Sequence, residues 1–197
     1  MSCSEFGARD LDTRPANDMR DCLDYFIQQC PHCGYSHHDL SQAIDESKSV
    51  IQRPEYQSLL VAPHVPETAR SYMASSFLYE QQRQFAKATW DMISAAWICD
   101  DEKKDDIASF CRVQAISLLN NANAYQQSIA EQPSLAQLIK IDLLRRANLF
   151  DLGLTELAQL SDKKMEPLLK QTAAFQLDRC LAHDNAAYNF ADVTSTH

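Results

Sequence analysis

Six consecutive residues carry the densest chemistry in the chain: Cys30-Pro31-His32-Cys33-Gly34-Tyr35. Two thiols at i and i+3 can clasp one ion in a tight knuckle. A glycine after the second cysteine supplies the positive φ that lets the loop curl round that ion. Such a knuckle is half of a zinc ribbon, and a structural zinc takes four ligands. The sequence has no second Cys-x-x-Cys, so the other ligands must come from elsewhere. Cys22 is poorly placed, because eight extended residues would carry it roughly 26 Å from Cys30 at about 3.3 Å per residue. A chain turn at Pro15–Asp18 would instead set Cys3 opposite Cys30, and His37 or His38 follows Cys33 closely enough to curl back. The expected metal set is therefore Cys3, Cys30, Cys33 and His37, with His38 as the alternative fourth ligand, around one structural zinc. His32 is expected to face solvent.

The same Cys-Pro-His-Cys supports a rival chemistry. In thioredoxin-like oxidoreductases such a pair lies between a strand and a helix, whose N-terminus lowers the first thiol's pKa. Cys30 would then be the nucleophile and Cys33 the resolving thiol. That fold needs further strands, yet nothing after Asp39 reads as Val, Ile or Thr alternating with polar residues. Pro133 and Pro167 open helices instead.

The elements that must hold these residues follow from periodicity. Cys22-Leu-Asp-Tyr-Phe-Ile-Gln-Gln29 reads as a short strand, preceded by the turn-rich stretch 12–18. From Asp39 or Ser41 onward the pattern is helical. A helix runs to about Ile51, a short one follows Pro54, and Ala69, Tyr72, Met73, Ser76 and Phe77 mark the face of the next. Phe85, Thr89, Met92 and Ala96 mark another. Ile107, Phe110, Cys111, Ala115, Leu118, Leu119 and Ala122 mark a long one. Further helices follow Pro133, near Thr155–Leu160, and from Glu166 to about Ala182. Cys99, Cys111 and Cys180 sit inside apolar patterns and read as core filling. Three glycines in 197 residues, against an average near 7%, argue against turn-rich sandwiches and barrels.

Leu78-Tyr-Glu-Gln-Gln-Arg-Gln-Phe85 echoes Leu143-Leu-Arg-Arg-Ala-Asn-Leu-Phe150. The offset is close to twice the 34-residue period of tetratricopeptide repeats. The expected fold is therefore mainly all-α, with tetratricopeptide-like helical hairpins over 40–197 and a small β/zinc-knuckle module over 1–39.

Charge limits the partners. Residues 1–40 carry three arginines against seven acids, residues 41–197 fifteen bases against twenty acids, and the formal net charge is −9. Neither part offers the basic footprint that phosphate backbones or anionic membranes require. Lys140, Arg145, Arg146, Lys163, Lys164 and Lys170 cluster in the later helices and could favour an acidic segment of a partner. Asp100–Asp106 reads as a helix start with acids at its favourable end. Asp10, Asp12 and Arg14 read as a buried salt-bridged turn. No transmembrane run or secretory signal is expected, and seven cysteines on such a chain fit a reducing cytoplasm.

Phe6-Gly-Ala-Arg-Asp-Leu-Asp-Thr-Arg-Pro15, Cys30-Pro-His-Cys-Gly-Tyr35, Ala95-Ala-Trp97 and Asp142-Leu-Leu-Arg-Arg146 together resemble a family of uncharacterised bacterial proteins. That family joins a zinc-ribbon-like N-terminal knuckle to tetratricopeptide-like helices. Its members usually carry an earlier cysteine knuckle, where this sequence has Cys3 alone. The resemblance implies architecture and no reaction. The expected function is that of a non-enzymatic cytoplasmic interaction or scaffold protein with a protein or peptide partner. The alternatives are the thiol-disulfide enzyme and a zinc-ribbon nucleic-acid binder.

Overall fold

A computed structural model describes residues 6–42, 45–160 and 165–195. The chain is mainly α-helical with a small N-terminal two-stranded sheet. It divides into two compact units, one built from 1–21 with 128–197 and the other from 22–127. The expected boundary between residues 39 and 40 falls inside the second unit.

In that unit the antiparallel pair β1 (Gln28–Gln29) and β2 (Ser36–His37) is followed by α2 (Asp45–Ile51), α3 (Pro54–Leu60), α4 (Glu67–Gln81), α5 (Phe85–Asp101) and α6 (Asp105–Ala124). The expected strand over 22–29 is largely replaced by a 3₁₀ turn at Leu23–Tyr25. The buried Tyr72 hydroxyl donates to the Leu23 carbonyl at 2.8 Å, an acceptor that the turn presents to α4. The partner of β1 is β2, so Cys30 opens the turn of a hairpin that lies after it in sequence. The helix expected from Asp39 or Ser41 to Ile51 is also shorter, with a 3₁₀ turn at Leu40–Gln42 before α2.

The three long helices pack through small residues: Ala69, Ala74, Ala88, Ala95, Ala96, Ala108, Ala115 and Ala122 are all fully buried. Cys99 and Cys111 are buried among them as expected. Phe110, expected on the inner face of α6, is instead about half exposed.

The first unit holds α1 (Asp18–Asp21), α7 (Pro133–Arg146), α8 (Phe150–Ala158), α9 (Pro167–Leu181) and α10 (Phe190–Thr194). Leu138, Ile141, Leu157, Leu160, Leu169 and Cys180 form its apolar core. Its two chain segments join: the Leu11 amide donates to the Tyr188 carbonyl and the Phe190 amide to the Arg9 carbonyl, each at 2.9 Å. The Asp10–Arg14 turn is buried as expected, with Asp12 and Arg14 almost fully enclosed. Arg146 reaches Asp12 at 3.4 Å. Burial and the neighbouring Asp12 push the Asp10 carboxyl up to about 6. Two cations of the expected basic cluster are thus not surface charge, since Arg145 is fully buried and Arg146 faces Asp12. Lys140 pairs with Glu156. Lys163 and Lys164 lie outside the described residues.

The scarcity of glycine shows at the helix ends. Among the described residues, five helices close with the same pair of bonds. After α4 the Arg83 amide donates to the Glu80 carbonyl and the Gln84 amide to the Tyr79 carbonyl, both at 2.9 Å. Equivalent pairs follow α5, α6, α7 and α9. This is the Schellman ending, which satisfies the last orphan carbonyls. Its left-handed residue is usually glycine, yet here it is Arg83, Lys103, Gln126, Asn148 or His183. The sequence echo is real geometry, because Leu78–Phe85 and Leu143–Phe150 each end one helix and start the next by this device. Lys103→Gly is expected to stabilise the chain by about 0.5–1 kcal/mol in urea unfolding, since a side chain at left-handed φ costs about 1–2 kcal/mol and glycine's looser unfolded state returns part of the gain.

Among the described residues, no helix is long and apolar enough to cross a membrane.

Candidate functional site

The β1–β2 hairpin positions two groups of side chains. Its turn is closed by the Cys30 amide donating to the Tyr35 carbonyl at 2.8 Å and the Gly34 amide donating to the Cys30 carbonyl at 2.9 Å. Tyr56, on α3, anchors it: its hydroxyl donates to the Gly34 carbonyl at 2.8 Å and accepts from the Ser36 amide at 3.1 Å. Tyr56 is fully enclosed, and burial pushes its phenol up to about 12. Tyr35 packs with Val50, Ile51 and Leu78. Gly34 has φ +74°, and a Cβ there would stand 2.3 Å from Leu60 Cδ1. Gly34→Ala is therefore expected to cost about 1–2 kcal/mol in unfolding free energy from backbone strain alone. Leu60, at the edge of the core, can turn away. Amide exchange at Cys30 and Gly34 would report the loosened turn.

The tip of this turn presents Cys30 and Cys33. Both thiols are free, Cys33 exposed and Cys30 half-exposed. The amides of Cys33 and His32 and the Cys33 thiol face the Cys30 sulfur and lower its pKa, the Cys33 amide most. Donors converging on sulfur favour a thiolate. The pair sits in a hairpin turn and runs into β2, not into a helix as the oxidoreductase reading assumes.

The remaining expected ligands are placed differently. Cys3 lies outside the described residues. His37 turns away from the tip: its Nδ1 accepts from the Asp39 amide at 3.0 Å, and its Nε2 lies 2.9 Å from the Tyr79 hydroxyl. His38 is likewise engaged elsewhere. Cys22, set aside as a ligand, is disulfide-bonded, which departs from the expectation that the cysteines suit a reducing compartment as thiols or metal ligands. Among the described residues no group of three or more His, Cys, Asp or Glu could hold a metal. A closed zinc site needs four ligands, so the donors present at the tip supply half of one.

Beyond β2 the hairpin lines a cleft of about 680 Å³ in front of α4 and α5. Its floor is a half-buried ion pair. His38 Nε2 lies 2.7 Å from Asp91 Oδ1, and Nδ1 lies 2.6 Å from the Phe26 carbonyl. Two acceptors facing one ring fit an imidazolium that donates from both nitrogens. The bond to Asp91 accordingly raises the His38 pKa, against the opposing effect of burial. Asp91 is almost fully enclosed, while the His38 side chain is 40% exposed. Tyr72 and Tyr79 flank the ring, with centroids 6.0 and 6.4 Å away. Burial, and secondarily Asp91, pushes both phenols up, Tyr79 to about 12. Lys87 lays its ammonium 5.2 Å from the centre of the Tyr79 ring. Tyr25 and Phe26 form the lip, and Trp90 lines the wall.

The periodicity argument placed Tyr72 on an inner face and missed the cleft. Its one sequence signal is Asp91, an acid in the midst of Ala88, Thr89, Met92 and Ala95, which needs a buried cation once the helix is formed. His38 supplies that charge.

No family model matches this chain, and neither a curated protein nor a solved structure is similar to it.

Proposed function

We propose that the chain is a non-enzymatic interaction protein of tetratricopeptide-like helical hairpins that takes a protein or peptide partner in the cleft before α4 and α5. The rim of that cleft carries the reading. Tyr25 and Phe26 leave 66% and 44% of their surface exposed beside a preformed concavity with aromatic walls. Large aromatic rings beside a concave pocket are the usual anchors of a binding interface. The polar groups of the floor engage one another: Asp91 with His38, His37 with Tyr79 and Asp39, and Tyr72 with Leu23. That mutual engagement supports recognition over acid–base or nucleophilic catalysis.

A peptide-display selection on the full chain tests it. Enriched peptides should bind in titration and lose about tenfold or more in affinity with Tyr25→Ala or Phe26→Ala, the scale of an interface anchor. No enrichment, or peptides indifferent to both substitutions, overturns the reading.

A further inference from the structure

The tip of the hairpin brings two thiols within hydrogen-bond reach of each other. Pro31, His32 and Cys33 are all exposed, so an ion from solution meets the pair without rearrangement of the fold. Tyr56 and Gly34 hold the backbone of the turn from behind, so the two cysteines start from one hairpin geometry before anything binds. The amides of His32 and Cys33 face the Cys30 sulfur and can stay there when it becomes a metal-bound thiolate.

Ligand number then selects the ion. A borderline divalent ion such as zinc wants four donors, and among the described residues no third His, Cys, Asp or Glu stands with this pair. His37 would first have to break from Asp39 and Tyr79. Copper(I) has no such need. It is soft, prefers thiolate sulfur, and as a monovalent d¹⁰ ion is content with two sulfurs in a near-linear array.

We propose that Cys30 and Cys33 form a two-thiolate site for copper(I). On binding, two S–H bonds break, two Cu–S bonds form and two protons leave to solvent, with no change of oxidation state. The exposed side of the ion remains open, so an incoming thiolate from another copper carrier can add and take the metal away by ligand exchange. The site is therefore one for an exchangeable ion, and it stands independently of the cleft.

The test uses the reduced full chain under anaerobic conditions, loaded with copper(I) as its acetonitrile complex and competed with bicinchoninate, with zinc(II) titrated in parallel. The expected result is one copper per monomeric chain, not displaced by equimolar zinc. Affinity should fall at least a hundredfold in Cys30→Ser and in Cys33→Ser, and stay unchanged in Cys111→Ser, which removes a buried thiol that contacts Cys99 in the helical core. Circular dichroism confirms that the variants fold. X-ray absorption at the copper edge of the unsubstituted protein should count two sulfur neighbours. Copper not retained, copper retained equally by both hairpin variants, one copper shared by two chains, or zinc held at one equivalent in preference to copper each overturns the proposal.

Discussion

Arg145→Ala is expected to lower the unfolding free energy by about 3–5 kcal/mol, the cost of leaving a buried ion pair half-broken. The guanidinium is fully buried in the first unit. One nitrogen donates to Asp142 Oδ1 at 2.7 Å, and the other to the carbonyls of Asp184 and Ala186 at 2.7 and 2.8 Å. Its plane lies 5.4 Å from the centre of the Tyr188 ring. Alanine removes all of these at once. Asp142 then keeps only the field of Arg146 as counter-charge, and burial already pushes its carboxyl up, so it is driven towards the protonated form. Urea unfolding followed by circular dichroism reads the loss. Arg145→Lys should recover only part of it, because an ammonium cannot serve three acceptors in the planar spread of a guanidinium. A loss below about 1 kcal/mol in Arg145→Ala would show that the cluster contributes little.

Asp91→Asn is expected to cost about 2 kcal/mol at pH 6 and to flatten the pH dependence of stability. Hydrogen bonds to charged groups are worth about 1.5–3 kcal/mol, and the 40% exposure of His38 places this one below the top of that range. The sign follows from the direction of the shift. The folded state raises the His38 pKa above its ordinary 6.5. The pair therefore contributes fully below pH 6.5, and its contribution is lost as pH rises through the higher folded value. Lys87, which also faces His38, opposes the shift. Unfolding free energies measured from pH 5 to 9 should decline above pH 6.5 in the unsubstituted protein and much less in Asp91→Asn. Proton NMR should show the His38 titration moving down in the variant. An unshifted titration would mean that Asp91 is not the group that holds the ring charged.

The helices were legible in the sequence because each apolar face repeats at the helical period over many residues, as Phe85, Thr89, Met92 and Ala96 or Ala115, Leu118, Leu119 and Ala122, all buried, illustrate. The hairpin links were legible too, since the Leu78–Phe85 and Leu143–Phe150 segments share both spacing and geometry. Residues 22–26 were not. Their aromatic pair Tyr25-Phe26, followed by Ile27, favours a strand, but the Tyr72 hydroxyl bonds a carbonyl of a tight turn there, a long-range contact that local propensity cannot register. The division into units was hidden for a similar reason: Arg9 and Leu11 meet Tyr188 and Phe190 across nearly the whole chain. At the site, the spacing of Cys30 and Cys33 was visible. The turning of His37 toward Tyr79 was not, because a helix more than forty residues later decides it.

The joining of Arg9 and Leu11 to Tyr188 and Phe190 also sets an order of events during synthesis. Arg9 and Leu11 leave the ribosome long before Tyr188 and Phe190, which bond them. At about 5–20 residues per second, they wait on the order of ten seconds or more for their partners. Residues 22–127 form an uninterrupted stretch and can complete their own packing in that interval. The first unit is therefore the last to close, and the Asp10–Arg14 turn, with Asp12 and Arg14 enclosed, passes much of translation with its charges in water.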